Sequence, residues 1–324
     1  TDDHPFFFFL CVKYHSKKMY REYDSELKWV KLKNIEKGDL LCRPKSTIIV
    51  NSALDKYPKE FIQLLGTYTA EGNFRKAVKG DKNKGVKSQT SRSYISIGKH
   101  DINKIKRLLV IANLSKYTIT ERRTCFQIEV RDRDFVGFCE NIGHRGIEKA
   151  VPYYILNGSN FVKNNYLKGY LDGDGYFNNE TKKGSASSIS KKLILGIGKL
   201  LLDKGIFPTY REDLREGIMI IEGRTVNVKN RYIIQYVDKP NDKKQYLEDE
   251  NYFYLPIRKI IDNFKKDIVY DLEIDNVSNF IANDLIVHNC GLFVAKVVQK
   301  AGFEIVKNPL WALNWANFGT KQKI

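Results

Sequence analysis

The sequence predicts an α+β protein: a β-rich domain, split between the two ends of the chain, encloses an α/β insert built from two related halves. Three observations carry this expectation. Residues 1–48 run as apolar and aromatic strand-like segments separated by turns such as Lys37-Gly38-Asp39. The same strand-rich character returns at 268–287. Between them one order of helices and strands occurs twice, with Glu71 and Asp174 at equivalent places, 174 − 71 = 103 residues apart.

In chain order, residues 60–72 (EFIQLLGTYTAEG) read as an amphipathic helix. The basic, Gly/Ser-rich stretch 76–93 reads as a mobile loop. Strand-like alternation at 94–98 and 117–131 brackets a helix at 101–113. The second copy begins with a helix at 163–175 (KNNYLKGYLDGDG) and continues with a helix at 190–204 and alternating strands over 208–237. After Asn289 an apolar helix, CGLFVAKVVQKAGF, leads into a Trp-rich loop. The repeat implies two halves related by a pseudo-two-fold axis, a symmetry that duplex DNA shares.

A chain of 324 residues is long enough for two domains with real cores. It contains no run of 18 apolar residues, which argues against a membrane span. The run Phe6 to Leu10 is short and lacks a basic lead, unlike a signal peptide. The start at Thr1 rather than Met reads as a piece cut from a longer protein. A formal net charge of +17 points to a polyanionic partner, because each cation placed on a phosphate releases counterions. The five cysteines (Cys11, Cys42, Cys125, Cys139, Cys290) include no CxxC pair, which leaves little room for a zinc or disulfide framework and fits a reducing cytoplasm.

Two segments carry carboxylate chemistry: LLGTYTAEG (64–72) and LKGYLDGDG (167–175). Each reads as a helix with a glycine in its middle, Gly66 or Gly169, and an acid at its C-terminal end. Helices without Cβ atoms at the crossing can approach closely and set Glu71 beside Asp174. Two acids at helix C-termini repel each other and the helix dipoles, and a shared hard cation such as Mg²⁺ relieves that repulsion. One of the cation's waters can attack a phosphodiester. Either segment alone is commonplace as a turn; two at matched spacing inside a repeat are not. They resemble the paired LAGLIDADG motifs of dodecapeptide homing endonucleases. The first departs from the usual pattern, with Glu71 for Asp and Thr69 at a normally acidic or apolar place. The KAVPYYI segment (149–155) resembles the family's K-x-I-P block, which implies a supporting catalytic role for Lys149. The resemblance implies double-stranded DNA as substrate, Mg²⁺ as cofactor and a monomer. Arg122, Arg123, Arg131 and Arg133 are the expected DNA contacts on a β-ribbon saddle.

The two ends carry a different chemistry. TDDHPF (1–6) resembles the T-x-x-H block of inteins, and VYDLEIDNVSNFIANDLIVHNC (269–290) resembles their two C-terminal blocks. Asn289 has an amide that can attack its own backbone carbonyl and cut the chain as a succinimide, given a fold that holds the attack geometry. His288 is placed to hydrogen-bond that carbonyl or move a proton. Cys290 supplies a thiolate for acyl transfer. The resemblance further implies that Thr1 and His4 polarise the upstream scissile bond and that Asp271 helps activate the nucleophile. Splicing needs no cofactor and acts on flanking host segments in cis. Ser278 stands where inteins usually carry His. The first intein block, with its initiating Cys or Ser, is expected upstream of Thr1.

The segment after Cys290 resembles the active-site region of CHAP-like cysteine peptidoglycan hydrolases, through Phe293, Val294, Ala301, Gly302, Pro309, Ala312, Trp315 and Gly319. The resulting division is a Hint-type splicing domain at 1–48 and 259–289, a pseudo-two-fold αββαββ endonuclease at 49–258, and a host fragment at 290–324. Two rivals share parts of this pattern. One is an autoprocessing domain that cleaves without ligation, against which Asn289 and the embedded nuclease argue. The other is a splicing element whose nuclease only binds DNA.

Overall fold

A computed structural model describes residues 5–9, 11–15, 20–23, 27–45, 51, 53–79, 89–221, 223–238, 246–257, 260, 279–282 and 285–288. The chain divides into two compact units, Thr1–Ser46 with Asn241–Ile324, and Thr47–Pro240. The fold is mixed α/β with antiparallel sheets. Among the described residues no helix is long and apolar enough to cross a membrane.

The first unit is a β-structure. Its main sheet runs Leu247–Glu248, Tyr252–Pro256, Leu40–Pro44, Pro5–Phe9, Leu285–His288 and Asn279–Ala282, and Lys28–Lys31 also pairs with Pro5–Phe9. The sheet therefore joins the two ends of the chain, as the split strand-rich pattern requires. Leu40, Cys42, Tyr252, Tyr254 and Ile286 form its buried cluster. The domain boundary read at 258 lies earlier in the structure. Tyr252–Pro256 pairs along Leu40–Pro44, with Tyr254 opposite Cys42, so this aromatic strand belongs to the first unit. Burial of Tyr252, Phe253 and Tyr254 supplies the driving force.

The second unit repeats itself. Helix α1 (Lys59–Glu71) runs into the strand Gly72–Arg75, followed by Arg92–Gly98, helix α2 (Ile102–Ile111), the hairpin Tyr117–Glu121 and Cys125–Val130, and helix α3 (Arg133–Ile142). After the short helix α4 (Tyr153–Leu156), helix α5 (Asn160–Asp174) runs into Gly175–Asn178, then Lys183–Ser188, helix α6 (Lys191–Asp203), Thr209–Asp213 and Arg231–Val237. Each half forms a four-stranded sheet of the same order, first-second-fourth-third. The registers coincide: Gly72 pairs with Ile95 and Ile95 with Ile128, while Gly175 pairs with Ala186 and Ala186 with Ile234. The second half adds a hairpin, Gly217–Ile221 and Arg224–Val228, before its last strand.

Side-chain caps start three of the helices. Asp132 accepts from the Phe135 N–H, Ser159 from Val162 and Ser190 from Leu193. Of the loop expected at 76–93, residues 80–88 lie outside the described residues; Val78 and Gln89 meet in a bridge, and Arg92 already belongs to a strand.

Candidate functional site

The two motif helices, α1 and α5, cross at backbone contact. A Cβ at Gly66 would overlap the Tyr166 carbonyl oxygen, and one at Gly169 would overlap the Gln63 carbonyl oxygen. Polar groups at the crossing are paired across it. Gln63 Nε2 donates to Asn165 Oδ1 at 2.9 Å, and the Thr69 hydroxyl shares a 2.7 Å hydrogen bond with Tyr166 Oη. Thr69 also donates to the Leu65 carbonyl at 2.9 Å. The departure from the usual motif at Thr69 is thus a fully satisfied buried hydroxyl, which costs little.

This crossing brings the helix C-termini together. A Cβ at Gly173 would stand 3.9 Å from Glu71 Oε1, so the Glu71 carboxylate lies beside the residue preceding Asp174. Partial burial and then the Glu71 charge push the Asp174 carboxyl up to about 6, against the pull of Lys149. Lys149 is not a surface lysine: it is 5 % exposed. Its Nζ donates to the Ala70 carbonyl at 3.2 Å and to the Tyr68 carbonyl at 3.4 Å, at the C-terminal turn of α1. Its own carbonyl accepts from Ser190 Oγ at 2.6 Å, which ties it to the start of α6. Burial pulls its ammonium down to about 8, opposed by the charges of Asp174 and Glu71. Asp174, Lys149, Thr69, Ser187, Ser188 and Arg231 line an open cleft of about 260 Å³.

Two carboxylates open to solvent, held together against their repulsion, match the needs of a hard divalent cation, which takes one or two carboxylates and fills its remaining positions with water and phosphate oxygens. Among the described residues no cluster of three His, Cys, Asp or Glu side chains could hold a metal.

Of the four expected DNA contacts, Arg122 and Arg123 sit in the exposed turn between Tyr117–Glu121 and Cys125–Val130. Arg122 Nη2 donates to Gln127 Oε1 at 3.0 Å. Arg131 follows the second of these strands and donates to Thr118 Oγ1 at 2.7 Å. Arg133 is not on the ribbon; it is the first residue of α3, because Asp132 caps that helix. Arg92, on the same sheet, is paired with Glu129 at 2.8 Å. In Arg92–Gly98 burial alternates strictly, with Ser93, Ile95 and Ile97 inward, so Arg92, Tyr94 and Ser96 face outward. They share that face with Asn73 and Gln127 through the registers Asn73↔Tyr94 and Ser96↔Gln127. The period-two pattern RSYISIG was the available signal.

In the first unit, Phe6 pairs with Val287 in an antiparallel register. Pro5, which opens one strand, and His288, which closes the other, therefore lie at the same end of the sheet. On the other side of the last strand, Asn279 pairs with His288.

A family model described as intein splicing domain matches residues 15–289. The chain belongs to the intein splicing domain family. An iron-sulfur cluster assembly SufBD family protein of Mycobacterium tuberculosis is 23% identical over 307 residues, covering 90% of this chain and 35% of the relative. The ATP-dependent DNA helicase Hel308 of Thermococcus kodakarensis is 25% identical over 260 residues, covering 71% of this chain and 21% of the helicase. The chain thus spans about a third and about a fifth of the length of these relatives. Among solved structures, mesophilic variants of the homing endonuclease I-DmoI resemble it with a TM-score of 0.39 and 16% identity, covering 56% of this chain and 89% of that one.

Of the splicing residues expected in this intein, Thr1, His4, Asp271, Asn289 and Cys290 lie outside the described residues, as do Ser278 and the host-like segment 290–324. His288 is described in its backbone, as the last residue of Leu285–His288.

Proposed function

We propose that this chain is a splicing element whose insert cuts duplex DNA. For splicing, the sheet register supports the reading. Pro5 and His288, the residues next in sequence to His4 and Asn289, end paired strands at one end of the sheet. Thr1 and His4 would act on the upstream bond and Asp271 on the nucleophile. Cys290 would accept the upstream segment before Asn289 cyclises with the help of His288. The relatives support the same reading. One is named for iron–sulfur cluster assembly and the other as an ATP-dependent DNA helicase, and each shares only a part of its length with this chain. An element inserted into unrelated hosts produces that pattern. The segment from Cys290 would then be host protein, and its hydrolase-like residues make a cysteine peptidoglycan hydrolase the host class proposed.

For DNA cleavage, the observation that carries the reading is the acid pair: Glu71 and Asp174 at the joined ends of two helices, with Lys149 buried beside them. Glu71 and Asp174 would hold a divalent cation, Mg²⁺ in the first instance. A bound cation supplies a more acidic water and offsets phosphate charge. Lys149 would stabilise negative charge near the scissile phosphate, and the outward sheet faces would follow the major groove. Both acids come from one chain, so a monomer suffices. The test uses two duplexes, one with the host coding segments that flank the element joined without it, the other the interrupted gene. With Mg²⁺ the protein should cut the first and spare the second, whose site the insertion splits. Specific binding of the joined duplex without cleavage in Mg²⁺ or Mn²⁺ would favour the reading of the insert as a DNA-binding remnant.

A further inference from the structure

Arg231 opens the last strand of the second half and lines the cleft that contains Lys149 and Asp174. Its side chain is 47% exposed, so the core does not require it. Two ion pairs organise it. Arg231 Nη2 donates to Asp213 Oδ2 at 2.8 Å, across the register pair Asp213↔Arg231. Arg215 grips the same carboxylate through Nε and Nη2, both at 2.7 Å. One carboxylate between two guanidiniums leaves this cluster with a net positive charge, on a strand end whose direction is fixed by the sheet.

The matched registers identify the corresponding place in the first half. Ile234 and Ile128 are equivalent, so Arg231, three residues before Ile234, corresponds to Cys125, three before Ile128. Each is the first residue of its strand. On this last strand the cation is a feature of the second half; in the first half Arg122 stands opposite Cys125, at the place of Asp213.

We propose that Arg231 binds the phosphodiester that enters the Asp174 side of the site, that Asp213 aims its guanidinium, and that cleavage of one DNA strand depends on this residue far more than cleavage of the other. The inference rests on the nuclease reading above. In the hydrolysis a water oxygen bonds to phosphorus and the bridging P–O bond breaks. The attacking water loses a proton to solvent, and the leaving oxygen takes one up. Negative charge builds on the non-bridging oxygens in between. A planar guanidinium matches those oxygens with two parallel donors, and such preorganised donors act mainly on the rate.

The test is a single-turnover time course in Mg²⁺ on the joined-flank duplex, with each strand end-labelled in turn and protein in excess. For Arg231→Gln, one strand should be cut about 100-fold more slowly, with the other within about threefold of wild type. Arg231→Lys should recover part of the lost rate, because the charge remains and the fork does not. Asp213→Asn should slow the same strand, by less. Thermal melting of the variants should match wild type, which separates the effect from loss of fold. Equal slowing of both strands, or no slowing, would overturn the proposal and leave Arg231 as a brace of the strand end. If the wild type cuts neither strand, the nuclease reading itself fails, and the inference falls with it.

Discussion

The Lys149 ammonium donates to the Ala70 carbonyl at 3.2 Å, on the C-terminal turn of the helix that ends in Glu71. A lysine from the linker between the two halves thus satisfies part of a helix end that otherwise presents unpaired carbonyls. The same contact places a buried cation next to two acids. A solvated surface lysine would show neither property.

Lys149 gives a stability prediction with a definite sign. Its folded pKa, about 8, lies below the ordinary lysine value of 10.5. Between those values the unfolded chain binds more protons, so this group's contribution to stability rises with pH from about 8 to about 10.5. At pH 7 the buried charge costs up to about 3 kcal/mol. Urea unfolding of wild type and Lys149→Met across pH 7 to 10 should show wild type gaining on the variant as pH rises. A constant gap would contradict the buried, depressed lysine. Lys149→Met should also slow DNA cleavage by about 100-fold at unchanged affinity.

Asp174 titrates in the opposite sense. Its pKa is raised from 3.8 to about 6, so the folded state favours the protonated form, and the contribution to stability that is present below pH 4 is lost as pH rises through 6. Asp174→Asn should therefore stabilise the protein at pH 7.5, by less than about 1 kcal/mol because solvent screens a carboxylate at the cleft mouth. Binding of Mg²⁺ should weaken below pH 6, where the proton competes. Calorimetry of the metal-free and Mg²⁺-loaded protein at pH 5 and 7.5 checks both statements.

The helix crossing predicts a contrast between glycines. Gly169→Ala drives a Cβ into the Gln63 backbone, which cannot move aside as a side chain can, and should cost about 3 kcal/mol or more. Gly137→Ala, in α3 with nothing within 4 Å of its Cβ, should stabilise by up to about 1 kcal/mol. Thermal melts of the two variants compare them directly.

Splicing is tested at the C-terminal junction. With the upstream part of the element restored, ligated host protein should form, and Asn289→Ala should block release at the Asn289–Cys290 bond. Ser278 precedes Asn279 in sequence, and the register partner of Asn279 is His288. Ser278→His should speed C-terminal cleavage, read as released fragment by mass spectrometry. Cleavage undiminished in Asn289→Ala would sink the cyclisation mechanism.

Much of this architecture was legible because it rests on local pattern. The motif helices are legible within a few residues from their apolar spacing and glycines, and the repeat from the recurring order of helices and strands with Glu71 and Asp174 at equivalent places. What escaped depends on long-range pairing. Tyr252–Pro256 reads as a strand wherever it is placed, and only its register with Cys42 assigns it to the first unit. The burial of Lys149 comes from the α1 helix end and Ser190, 79 and 41 residues away in sequence. Arg133 was grouped with the ribbon arginines because its neighbours alternate, but the Asp132 cap turns the chain into a helix one residue earlier. The outward face of Arg92–Gly98 can be read from its alternation, whereas the place of Arg231 rests on its pairing with Asp213.

The central claim is that Glu71 and Asp174 form one shared cation site for DNA cleavage. The most direct measurement is cleavage and affinity, side by side, for wild type, Glu71→Gln and Asp174→Asn on the joined-flank duplex in Mg²⁺. Each single variant should lose cutting by about 1,000-fold or more while binding the duplex as tightly as wild type or tighter, since a neutral side chain no longer repels phosphate. Cutting at the wild-type rate by both variants would place the chemistry elsewhere and contradict it.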